Sequence, residues 1–324
     1  DDELFSYDDL GVEEQQIVTN NLNGRTIRNV TPYNIYDLQM FPDVEIDLAN
    51  KIVDGNGYTI GFYELRDEDA FFDRFWGSLE IRNLSITNVL KQTIRGDQGI
   101  ITNTGYTEDL LSFENISINQ TQLYADGGNQ YGILSAMVYE ADAFYVTDIV
   151  MRDVAIISNN DAEHVGLLFG RLNDAIAHVE HVNVRRGYLL GISNNAGMIV
   201  GSTENVSLNI TEIVGDRVIM NSGDRSGLIA GQALNAQMSL DHITIDEVKM
   251  FQVDGELINP VLDQLTSREV GGLFGLVERS NIGMSFVSVF DLTMQAGSES
   301  GGLIGNVITS KVDIVQSEVN QIHM

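Results

Sequence analysis

A five-residue unit with glycine at both ends recurs through this chain and limits what it can fold into. It reads GLLFG at 166–170, GMIVG at 197–201, GLIAG at 227–231, GGLFG at 271–275 and GGLIG at 301–305. Looser copies open at Gly99 (GIITN) and Gly132 (GILSA), and the leading glycines are 33, 34, 31, 30, 44 and 30 residues apart. Self-similarity at a nearly fixed period of this length marks a repeat architecture, in which each unit buries its apolar face only by stacking on the next.

Between the glycine units the chain alternates apolar and polar residues, the pattern of a strand with one face buried. The copies begin Leu79-Glu-Ile81, Leu111-Ser-Phe113, Phe144-Tyr-Val146, Ala177-His-Val179, Leu208-Asn-Ile210, Met238-Ser-Leu240, Met284-Ser-Phe286 and Val312-Asp-Ile314. Each continues through a polar residue into a second alternating run, so two strands meet at a bend. The corner column is Asn83, Asn115, Asp148, His181, Glu212, His242, Ser288 and Gln316, where polar side chains can bond to backbone or to one another from rung to rung. Val179, Leu240 and Phe286 are expected in one interior file. A third apolar patch, such as Tyr188-Leu-Leu190 or Val218-Ile-Met220, closes each lap. The expected fold is all-β: a right-handed parallel β-helix of about 30 residues and three short strands per rung.

Residues 1–25 are acidic and polar and read as an N-terminal arm or cap, with one β-helix domain over 26–324. Two excursions interrupt it. Residues 61–78 read as a loop or short helix standing off the body. Residues 249–270 hold Asn259-Pro260, a capping residue followed by proline, which predicts a short helix there.

Composition narrows the functions. The chain has 47 Asp and Glu against 18 Lys and Arg, a net charge of −29. Nucleic acid and anionic membranes call for clustered bases, so neither is an expected partner. There is no cysteine, and no run of 18 apolar residues to form a membrane span.

Site candidates are few. Asp67, Glu68, Asp69 and Asp73 form an oxygen-rich group that could hold calcium, the one cofactor considered. Phe71, Phe72, Phe75 and Trp76 beside them could form a sugar-binding platform. Arg152, Arg171, Arg185 and Arg186 are isolated bases with no marked arrangement. His181 and His242 belong to the corner column, and His178-x-x-His181 places its two rings on opposite faces of a strand, against a zinc site.

IDLANKIVDGNGYTI at 46–60 followed by LEIRNLSITNV at 79–89 resembles the opening rungs of pectin-lyase-like right-handed parallel β-helix proteins. GGLFG and GGLIG resemble the GLUG-type repeats of large secreted bacterial adhesins and surface proteins. The resemblance covers roughly residues 45–320 and implies the architecture, on which many activities occur. The paired aspartates on a strand, the Gly-His-Gly and the Arg-Ile-Lys of polygalacturonase-like relatives do not occur here. The expected function is therefore a non-catalytic structural or adhesive protein of a bacterial surface, matrix or filament, secreted or displayed at the cell surface. Its expected partner is itself, head to tail, because the pattern of a rung is still running at residues 312–319; surface carbohydrate is the other. The alternatives are a polysaccharide lyase or hydrolase, a phage-type depolymerase, and a carbohydrate-binding module.

Overall fold

The computed structural model describes residues 51–323 apart from 55–58, 67–69, 77, 94–96, 107–109, 126–128, 159–161, 252–267 and 296–297. The chain is an all-β parallel solenoid of about 7 turns, with about 32 residues per turn and three strands per rung. One rung shows the plan: His164–Gly166, then Phe169–Asn173, then the long bent strand Ile176–Gly197, which delivers the chain to the next glycine unit. The middle strands of successive rungs form an eight-stranded sheet, and the others form a seventeen-stranded sheet that wraps the remaining faces. The strand pairs are parallel and in register, as in Phe144↔Ala177, Ala177↔Leu208 and Leu208↔Met238.

Register turns each inward position into a file. Val146, Val179, Ile210, Leu240 and Met284 follow one another rung by rung, all buried. Phe286 does not join them. It aligns with His242 at the corner, is 45% exposed, and stacks on the His242 ring with centroids 4.8 Å apart. Ser288, expected at that corner, lies two residues further on, opposite Thr244. Period-two alternation reads the same after a shift of two, so pattern alone does not separate these registers.

The corner residues share one backbone state. Asn83, Asn115, Asp148, His181, Glu212, His242, Phe286 and Gln316 all have φ between 50° and 57°. A second column at Asp153, Arg186, Arg217, Glu247 and Asp291 behaves alike, as do a third through Asp174, Asn205 and Asn235 and a fourth through Asn195, Arg225 and Glu269. The left-handed conformation costs a non-glycine residue roughly 1–2 kcal/mol, so the stacked rungs must impose it.

The glycine unit makes the chain double back. In GLLFG, Leu167 and Leu168 form a buried tip, and the strands on either side lie backbone to backbone. A methyl group on Gly201 would sit 2.3 Å from Val165 N and 2.6 Å from His164 C. Only glycine permits that approach. Phe169 leaves the tip for the core, where its ring centroid lies 5.0 Å from that of Phe144 and 6.1 Å from that of Phe113.

The first expected excursion is corrected in part. Phe72–Trp76 is a strand of the eight-stranded sheet, paired in parallel with Thr102–Tyr106, and does not stand off the body. The helix expected near Asn259-Pro260 falls outside the described residues, as does the arm at 1–25.

Gly201→Ala is expected to cost about 1–3 kcal/mol through overpacking against backbone. Gly283→Ala, whose nearest new neighbour would be Met238 O at 4.0 Å, is expected to stay within about 0.5 kcal/mol of the parent. Urea unfolding of both variants measures the contrast, and equal effects would contradict the backbone-contact account.

Candidate functional site

The corners carry polar ladders on the outer surface. Asn115 Nδ2 donates to Asn83 Oδ1 at 2.8 Å, and Asn205 Nδ2 to Asp174 Oδ1 at 3.0 Å. His181 lies between Asp148 and Glu212, with a ring nitrogen 3.2 Å from each carboxylate. At the next corner Arg186 bonds to Asp153, and Arg217 Nε donates to Glu247 Oε2 at 2.8 Å. The Arg186 bond holds the Asp153 carboxyl below the usual range. Ser285 and then His242 do the same for Asp241. Such exposed pairs are screened by water and contribute little to stability; they bridge neighbouring rungs.

Of the aromatic and acidic candidates, Phe71, Phe72, Asp73, Phe75 and Trp76 lie in described segments, and only for Phe71 is the side chain placed. Phe71 is 2% exposed and its amide donates to Ile100 O, so it belongs to the core and offers no face to a sugar. Phe72, Asp73, Phe75 and Trp76 share the strand that follows it, and Asp67, Glu68 and Asp69 lie outside the described residues. Among the described residues no three His, Asp or Glu side chains are placed to hold a metal ion. Arg171 is paired with Glu204, and Arg186 with Asp153. Arg152 and Arg185 stand opposite each other on neighbouring rungs, an adjacency the linear sequence hides. His178 stacks on Tyr145 at 5.3 Å, away from the carboxylates that flank His181.

His164 is a half-buried histidine at the start of the strand His164–Gly166. His164 lies one rung from Asn195, whose Nδ2 is 3.1 Å from its Nδ1. Burial, then the positive charges of Arg171 and Arg225, push the His164 pKa down to about 4.

Exposed apolar side chains gather in the rung at 304–323. Ile314 continues the file of Met284, Val307 that of Val277, and Ile322 that of Leu292. The earlier member of each file is buried, whereas Ile314, Val307 and Ile322 are 48%, 46% and 37% exposed. The parallel strands Ile304–Ile308, Lys311–Val315 and Glu318–His323 carry them side by side.

Compared with family models, curated proteins and solved structures, the chain matches none.

His164 supplies a pH test. Its folded pKa lies below the unfolded value, so its contribution is fully present above about pH 6.5 and declines as pH falls towards 4, where the unfolded chain takes up a proton the folded one refuses. The loss is expected to reach about 3 kcal/mol. Urea unfolding from pH 7 to pH 4 should show a shallower loss for His164→Gln than for the parent. Parallel curves would remove His164 as the cause.

Proposed function

We propose that this protein is a non-catalytic structural module of an extracellular surface, matrix or filament, whose solenoid ends associate head to tail. The supporting observation is the rung at 304–323, where inward files that bury Met284, Val277 and Leu292 continue into exposed Ile314, Val307 and Ile322. Parallel strands with open backbone edges and an apolar inner row accept another strand layer in the same register. The occupant in this reading is a second copy of the chain. A head-to-tail contact that does not close on itself propagates into a filament.

The acidic surface fits the same reading. A net charge of −29 opposes lateral clumping, while contact at the solenoid ends buries apolar residues away from most of that charge. The finer assignment, a pectin-lyase-like right-handed β-helix with GLUG-type repeats from a secreted bacterial surface protein, is also part of the proposal and rests on the Gly-x-x-x-Gly units and the corner pattern. Adhesion to surface carbohydrate is the accompanying role.

Sedimentation velocity across a concentration series tests the association. The parent is expected to self-associate as concentration rises, and Ile314→Lys/Ile322→Lys to stay monomeric with unchanged β-sheet circular dichroism. Monomeric parent throughout the series would overturn the head-to-tail reading.

A further inference from the structure

Two departures from the repeat meet in one rung. The interior file through Leu123, Ile156, Leu189, Met220, Met250 and Met294 is apolar, but its member one rung earlier is Lys91, fully buried. The glycine unit of that same lap ends in asparagine: GIITN places Asn103 where GLLFG and GMIVG have their second glycine. These exceptions are in contact. Lys91 Nζ donates to Asn103 Oδ1 at 3.2 Å, to Gly99 O at 2.8 Å and to Gln98 Oε1 at 2.6 Å. Asn103 and Gln98 are themselves buried.

An amine held against a carboxamide in a water-poor interior is a pair of reactants as well as a hydrogen bond. Gly99 N donates to Asn103 Oδ1 at 2.9 Å, so that oxygen accepts from both the lysine and a backbone amide. A donor fixed on a carbonyl oxygen stabilises the negative charge that develops there when a nucleophile adds to the carbon. Gly99 O holds Nζ in place, and burial opposes the charged form of the amine while the three acceptor oxygens favour it. Two reactants fixed at contact distance react as if highly concentrated.

We propose that Lys91 and Asn103 form an intramolecular isopeptide bond. Neutral Nζ, its extra proton having left to solvent, adds to Asn103 Cγ and gives a tetrahedral centre whose oxyanion faces Gly99 N–H. The Cγ–Nδ2 bond then breaks, one proton passes from Nζ to Nδ2, and ammonia leaves. The product is a secondary amide joining the strand Leu79–Thr93 to the strand Thr102–Tyr106 across the tip at Ile100–Ile101. No oxidant, metal or second substrate enters the balance. Asn103 is taken as the electrophile because its oxygen accepts from Gly99 N–H. In a chain without cysteine, such a bond does the work of a disulfide by closing a loop in the unfolded state.

Mass spectrometry of the full folded chain, incubated at pH 7 and at pH 9, decides the matter. The expected result is a mass lower than the sequence mass by one ammonia, with a larger converted fraction at the higher pH, where more of the amine is in its neutral form. Tandem spectra of a digest should show a branched peptide joining Lys91 to Asn103. Lys91→Met and Asn103→Ala should each return to the calculated mass. A full-length parent at the calculated mass under both conditions, with a free Lys91 ε-amine in the digest, would overturn the proposal, as would a link to Gln98.

Discussion

In-register stacking of parallel rungs is the constraint from which the rest follows. Once Phe144 pairs with Ala177 and Ala177 with Leu208, each neighbouring position is carried along with it. An inward residue then packs on its own counterpart about 4.8 Å away along the axis. Apolar side chains accumulate into continuous files, and polar ones into ladders, without any contact having to be specified singly. Burial within a file is not uniform: Ile314 is exposed and Met284 buried, although both occupy the same position in the lap.

Two backbone devices make the lap close. The glycine unit lets strands lie with no side chain between them, as at Gly201 against Val165. The four columns of left-handed residues turn the chain without a loop. That such different residues as Arg217, Glu247 and Phe286 adopt this state shows the stack choosing the conformation over the residue's own preference. Stability is thus shared between neighbours, and each turn is held by the turns on either side.

Polar groups inside and outside this frame have different consequences. On the surface, Asp148–His181–Glu212 and Arg217–Glu247 stay in water and contribute mainly register. Inside, Lys91 is bonded to Gln98, Gly99 and Asn103, and half-buried His164 lies against Asn195. Burying such groups is costly unless they are bonded, and Lys91 sits where the repeat departs from its own pattern.

The sequence by itself determined the repeat, the strand class and most of the first corner column, because glycine spacing and period-two alternation are local and survive in one dimension. Seven of the eight expected corner residues adopt the left-handed turn; the miss at Ser288 arose because Phe286 fits the same alternation one step earlier. Phe71 looked like part of an exposed aromatic cluster since composition does not reveal which way a strand faces. Only the tertiary structure decided the other three corner columns, the pairing of Arg152 with Arg185, and the meeting of Lys91 with Asn103. Those depend on which residues lie one lap apart, and that distance is fixed by backbone hydrogen bonds between rungs, which no single rung's sequence contains.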